Sequence, residues 1–143
     1  MGDRALVILK SGTDYSPVMY LHWHAPQVQH YVNRLKEVME TRGEDLNYAF
    51  ARLLGIVHND INGNLSLGCW NLPEGFSETD GKTLREMSHG DGGIYVVDLK
   101  DYAIATYAGY GLEHQNPRDG GEADRIAVKA IELSRSQLES GAA

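Results

Sequence analysis

The sequence predicts an α+β domain in which two helices pack on one face of an antiparallel sheet. Three observations lead to this prediction. The chain opens with two β-type runs across a turn, continues with two amphipathic helical stretches, and then returns to a closely spaced pair of strands. Neighbouring strands joined by short turns form hairpins, and hairpins pair antiparallel. A length of 143 residues suits one domain.

The first predicted element is a β-hairpin. The apolar run 5–9 and the extended run 18–24 flank the segment 11–17, whose sequence SGTDYSP is rich in turn-forming residues. Two β-type runs across such a segment are typical of a β-hairpin, here at the N-terminal end of the domain.

Two helices are predicted next. Pro26 suits a first helical turn, apolar residues follow at helical spacing, and Gly43 fits the position just beyond the end. Asp45 is a candidate N-cap for the second helix, which we expect to end near His58. Their apolar stripes should face the sheet.

The second half begins with an alternating run at 65–71, which predicts a middle strand. A polar stretch follows, and we expect residues 75–92 to form an exposed loop with one helical turn near 82–87. The runs 94–99 and 102–107 are separated only by Lys100 and Asp101, which predicts a tight hairpin.

These elements divide the chain into three parts. We expect a single compact α+β domain over residues 1–110, a Gly-rich connector over 111–121, and a C-terminal helix and tail over 122–143.

Composition narrows the classes of function. The net charge is −7, and residues 44–121 carry twelve acidic and five basic side chains, so clustered cations for a nucleic-acid backbone are not expected. No apolar run has the length of a membrane span, so no membrane partner is expected. Cys69 is the only cysteine, which favours a reducing, cytoplasmic location.

Three histidines lie close together in the segment MYLHWHAPQVQHYV at 19–32. In a strand, His22 and His24 would point to the same side, which is a two-ligand geometry for zinc or another divalent metal. A metal-dependent hydrolase would need further ligands, for which the candidates are His30, His58, Asp60, His89 and Asp91. The alternative is that both histidines are polar strand residues beside a buried Trp23, and no cofactor is then expected.

The sequence contains no complete catalytic constellation, so we expect an interaction protein more than an enzyme. Its acidic segment 74–101 and the loop 75–92 would dock on a protein partner. The candidate partner-binding residues are the carboxylates Glu78, Asp80, Glu86 and Asp91. An edge strand or the final helix could also form a homodimer.

A third hypothesis is a small-ligand or nucleotide-binding module, since aromatic side chains line many ligand pockets. The aromatic residues available for such a pocket are Tyr15, Tyr20, Trp23, Trp70 and Tyr107.

The run Tyr20-Leu-His-Trp-His-Ala-Pro26, after a hairpin turn and before a helix, resembles a motif of uncharacterised small phage and mobile-element proteins, roughly Tyr-x-His-Trp-Asp-Gly-Tyr-Pro. The resemblance covers about residues 5–110 and departs from the motif at His24 and Ala25. It implies a small cytoplasmic α+β protein, phage-encoded, that inhibits or modulates a host defence system or nucleic-acid machine.

Overall fold

The computed structural model describes residues 4–60, 67–89 and 91–107. Within these ranges the chain forms a sheet and three α-helices. In chain order the elements are β1 (Ala5–Ser11), β2 (Asp14–Tyr15), β3 (Val18–Leu21), a 3₁₀ turn (Ala25–Gln27), α1 (Val28–Val38), α2 (Leu46–Asp60), β4 (Gly68–Trp70), α3 (Gly81–Met87), β5 (Gly93–Asp98) and β6 (Ala103–Tyr107).

The sheet has the order β4-β3-β1-β5-β6, and the short β2 also pairs with β1. The two predicted hairpins, β1 with β3 and β5 with β6, are antiparallel. The central pair β1 and β5 is parallel, in register from Ala5 opposite Gly93 to Lys10 opposite Asp98. The α+β class is therefore confirmed, in a mostly antiparallel sheet whose parallel centre was not predicted. A parallel pair needs a long connection, which the segment containing α1 and α2 supplies.

One face of the sheet is covered by α1 and α2, as predicted. Alternate residues of β1, namely Ala5, Val7 and Leu9, point into this layer. They meet the apolar stripes of the two helices, whose fully buried members are Val28, Tyr31, Val32, Leu35, Ala49, Leu53 and Val57. Burying this surface is the main stabilising contribution to the domain.

The opposite face of the sheet is covered by the segment 71–89, which includes α3. Leu84 is fully buried there against Leu6, Ile8 and Ile94. The prediction that residues 75–92 form an exposed loop is therefore wrong for the side chains of this segment that pack against the sheet. Apolar residues at irregular intervals, Leu72, Phe76, Leu84 and Met87, fasten the segment to the sheet, and irregular spacing produces no helical or strand pattern.

Several predicted boundaries shift. The first helix ends at Val38, and Gly43 lies in the following turn with a φ of 62°. Asp45 caps α2 as predicted, because its Oδ1 accepts a hydrogen bond from the backbone N–H of Tyr48 at 3.2 Å. The strand β3 stops at Leu21, three residues earlier than predicted.

The connector at 111–121 and the helix and tail at 122–143 lie outside the described residues. Among the helices that the structure describes, none has the length and apolar character needed to span a bilayer.

Candidate functional site

His22 and His24 do not share a strand face. The chain bends at His22 and Trp23, and His24 directly precedes the 3₁₀ turn with a φ of −112° and a ψ of 24°. The Nδ1 atom of His22 forms a 2.7 Å hydrogen bond with the Tyr20 hydroxyl. Within residues 4–60, 67–89 and 91–107, no three His, Cys, Asp or Glu side chains are grouped so that they could hold a metal ion.

The bend instead assembles a group of rings around Tyr20, at the β3–β4 end of the sheet. The Tyr20 ring centroid lies 5.6 Å from that of Trp70, 6.0 Å from that of His22 and 5.3 Å from that of His89. The rings of His22 and Trp23 are 4.6 Å apart, edge to face. We call these five residues, Tyr20, His22, Trp23, Trp70 and His89, the aromatic surface.

Both tryptophans of the aromatic surface are open to solvent. Trp23 is 51% exposed and Trp70 is 43% exposed. The alternative in which the histidines flank a buried Trp23 is therefore wrong. Large exposed apolar side chains that lie together mark binding surfaces in soluble proteins.

The backbone of β4 explains how the rings come together. Gly68 lies opposite Tyr20 on β3, and Trp70 lies opposite Val18. A Cβ atom on Gly68 would be 3.5 Å from the Tyr20 Cβ and 3.7 Å from the Trp70 ring. The missing side chain leaves the strand surface bare, and the rings of Tyr20 and Trp70 cover it, as aromatic residues do beside glycine in edge strands.

His89 lies beside the ion pair formed by Arg4 and Asp91. Burial lowers the pKa of His89, the Arg4 guanidinium lowers it further, and nearby Asp91 only partly opposes them. Asp91 is itself engaged, since its Oδ2 accepts hydrogen bonds from the Arg4 Nε at 2.7 Å and from the Arg4 backbone N–H at 3.1 Å. These bonds hold the pKa of Asp91 below its usual value.

The predicted partner-binding carboxylates do not form one exposed group. Glu78 is only 7% exposed, so its expected exposure is wrong. Its carboxylate forms an ion pair with the Lys10 ammonium and accepts a 2.7 Å hydrogen bond from the Tyr107 hydroxyl. The Tyr15 hydroxyl lies 3.4 Å from the same carboxylate.

Two more of these carboxylates accept hydrogen bonds from other groups of the same chain. Asp80 caps α3, because it accepts hydrogen bonds from the Thr83 backbone N–H and hydroxyl, which lower the pKa of Asp80. Asp91 pairs with Arg4. Glu86 on α3 is exposed. The sequence shows the acidic character of this segment, but it does not show that three of the four candidate carboxylates bind groups of their own chain.

The aromatic residues predicted for a pocket separate into two places. Tyr20, Trp23 and Trp70 belong to the aromatic surface, whereas Tyr15 and Tyr107 contact Glu78 on the inner side of the segment 71–89. Cys69, beside Trp70 in β4, is exposed.

A comparison of the chain with protein-family models, with curated proteins and with solved structures finds no match in any of the three.

Proposed function

We propose that this chain is a non-enzymatic interaction protein that docks on a protein partner through the aromatic surface. The observation that carries this proposal is the pair of half-exposed tryptophans, Trp23 and Trp70, held in place by ring contacts through Tyr20 and His22. Tryptophan and tyrosine are the residues that most often dominate the binding energy of protein interfaces.

The exposed ring area is large enough to matter energetically. A tryptophan buries roughly 150–250 Å² when it is fully covered, and about half of that remains exposed on Trp23 and on Trp70. At about 25 cal/mol per Å², covering what remains would contribute about 2–3 kcal/mol for each ring. Because the rings already touch their neighbours, little side-chain freedom is lost on binding.

The charge of the chain supports a particular kind of partner. A net charge of −7 attracts a basic protein surface over long range, including one that ordinarily holds nucleic acid. A host defence protein or nucleic-acid machine, which the chain would modulate or inhibit, fits this description. In this arrangement the acidic groups speed association and the aromatic surface supplies most of the affinity.

The test is a quantitative pull-down from host-cell extract with Trp23→Ala and Trp70→Ala beside the wild type. Val38→Ala is the matched control, because Val38 is another exposed apolar residue, 39% exposed, on α1. We expect a specific partner to be retained by the wild type and the control, and to bind about tenfold or more weakly to each tryptophan variant. Equal retention by all four proteins would remove the aromatic surface as the docking site.

The alternative is that a second copy of the chain binds the aromatic surface, so that the protein forms a homodimer through the β4 edge of the sheet. Sedimentation analysis of the wild type and Trp70→Ala separates the two cases, since a dimer dissociated by Trp70→Ala would make a second copy of the chain the partner.

A further inference from the structure

A second candidate binding site lies in the helical layer. A groove of about 400 Å³ runs between α1 and α2. That volume falls in the lower part of the range of small-molecule sites. Its polar lining includes His30 and Arg34 from α1 and Arg52 and Asp60 from α2. The groove shares no residue with the aromatic surface.

The charge of the groove is opposite to that of the chain as a whole. Two arginines and one aspartate line it, whereas the net charge of the chain is −7. Asp60 is already engaged, because it accepts a 2.7 Å hydrogen bond from the Tyr31 hydroxyl. Arg34 forms no hydrogen bond or ion pair with the residues that the structure describes.

Arg52 is held in place without being neutralised. Its Nε donates a 2.9 Å hydrogen bond to the Tyr48 hydroxyl, and its guanidinium carbon lies 5.0 Å from the centre of the Tyr48 ring. Both contacts are to a tyrosine, and among residues 4–60, 67–89 and 91–107 no carboxylate forms an ion pair with Arg52. Two arginines on facing helices suit an anion that carries two charges, such as a phosphate monoester near neutral pH.

A glycine inside α2 gives an independent indication of a ligand. Gly55 lines the groove at a position where alanine would be the better helix former. Beyond its chain neighbours and the backbone of its own helix, a Cβ atom added to Gly55 would find no atom within 4 Å, so packing among the described residues does not require a glycine. Positions at which a sequence departs from the locally preferred residue are often functional. Here the absence of a side chain keeps the groove open.

We propose that the α1–α2 groove binds a small organic phosphate monoester, with Arg34 and Arg52 on the phosphate and the apolar wall at Val38 and Ile56 against the organic part. A nucleoside monophosphate and a sugar phosphate share this chemistry. The site would give the protein a small-molecule ligand in addition to its protein partner, and the two activities can be removed separately.

The test uses the full ¹⁵N-labelled chain, titrated with AMP, ribose 5-phosphate and inorganic phosphate while amide shifts are followed. We expect saturable shifts in α1 and α2 with at least one of the two organic phosphates. Arg34→Gln should weaken binding about tenfold or more, since it removes a charge-assisted contact. Lys36→Gln is the matched control, because it removes an exposed positive charge of α1 that does not line the groove.

Gly55→Leu tests the groove without changing any charge. It should abolish binding while the melting temperature stays equal to or above that of the wild type, because leucine is the better helix former. Tighter binding of AMP than of ribose 5-phosphate would identify a nucleotide as the ligand, and equal binding would identify the sugar phosphate moiety. No saturable shift with either organic phosphate, equal binding of inorganic phosphate, or unchanged binding by Gly55→Leu would overturn the proposal. Trp23→Ala should bind these ligands normally, so failure here is distinct from failure of the protein-docking proposal.

Discussion

Replacing Glu78 with alanine should destabilise the domain strongly, although sequence alone places this residue in a polar loop. The carboxylate of Glu78 holds the Lys10 ammonium and the Tyr107 hydroxyl in the interior, and Lys10 and Glu78 keep only 14% and 9% of their side-chain surfaces exposed. Removing one member of a buried ion pair leaves the other charge without compensation, at a cost of about 3–5 kcal/mol.

For the Lys10–Glu78 pair, the expected loss of unfolding free energy lies near the lower limit of that range. The remaining exposure of Lys10 allows its ammonium to regain some water, whereas the loss of the acceptor for Tyr107 adds about 1 kcal/mol. We therefore expect Glu78→Ala to lower the free energy of unfolding by about 3–4 kcal/mol. With a urea slope of about 1.5 kcal/mol per molar, the unfolding midpoint would fall by about 2–3 M.

Urea unfolding followed by circular dichroism measures this effect, with Glu86→Ala as the control. Glu86 lies on α3, close in sequence to Glu78, and is exposed, so its replacement should change the free energy of unfolding by less than about 0.5 kcal/mol. The double variant Lys10→Met, Glu78→Leu should recover most of the loss, because an apolar pair of similar volume removes both charges together. Equal midpoints for Glu78→Ala and Glu86→Ala, or a double variant as unstable as the sum of its parts, would refute the reasoning. A charge reversal at Glu78 would consequently report on folding and not on docking.

Three further predictions follow from individual contacts. Gly92→Ala should lower the free energy of unfolding by about 1–3 kcal/mol, because the new Cβ would lie 2.4 Å from the Ala25 Cβ and 3.2 Å from the Arg4 carbonyl oxygen. Adding Ala25→Gly should restore part of this loss, since it removes the closer of the two contacts. Equal stability of Gly92→Ala with and without Ala25→Gly would contradict this explanation. Asp80→Ala should cost about 1 kcal/mol through loss of the α3 cap, as measured by thermal unfolding, and a loss of helical protection confined to α3 in hydrogen exchange would identify the cause. The pKa of His89, followed by NMR, should lie below that of a histidine in an unstructured peptide. As the pH falls, the unfolded chain therefore binds a proton at His89 before the folded chain does. The contribution of His89 to the free energy of unfolding is complete above about pH 6.5 and is lost as the pH falls through the lower pKa of the folded state. A His89→Gln variant whose stability depends on pH in the same way would exclude His89 as the source.

The parts of the fold that the sequence predicts are those set by local interactions. The cap at Asp45 and the tight turn at Lys100 both depend on residues a few positions apart. The parallel pairing of β1 with β5 and the covering of the second face by residues 71–89 depend on contacts between distant segments. Hydrophobic periodicity carries no information on such contacts.

The candidate site depends on the point at which one strand ends. Met19 and Leu21 face the α1–α2 layer, and continued alternation would place Trp23 in the same core. The chain bends at His22 to begin the 3₁₀ turn at Ala25, so the alternation is lost and Trp23 is turned toward solvent. Within this motif the structure exposes the Trp23 ring and does not place His22 and His24 on one strand face.

The parallel centre of the sheet has a consequence during synthesis. Ser11 at the end of β1 and Gly93 at the start of β5 are about 80 residues apart. At a translation rate of ~5–20 residues per second, the edge of β1 that pairs with β5 therefore stays unpaired for about 4–16 s. The apolar run Ala5–Leu9 is the kind of segment that aggregates when its edge is exposed, and it is flanked by Arg4 and Lys10, whose charges oppose such self-association.

The same two cations are neutralised once the sheet is complete. Lys10 pairs with Glu78 and Arg4 pairs with Asp91, and both acids lie in the stretch that leaves the ribosome just before β5. Arg4 and Lys10 thus oppose self-association of β1 before β5 is made, and in the folded protein they form the ion pairs at the two ends of β1.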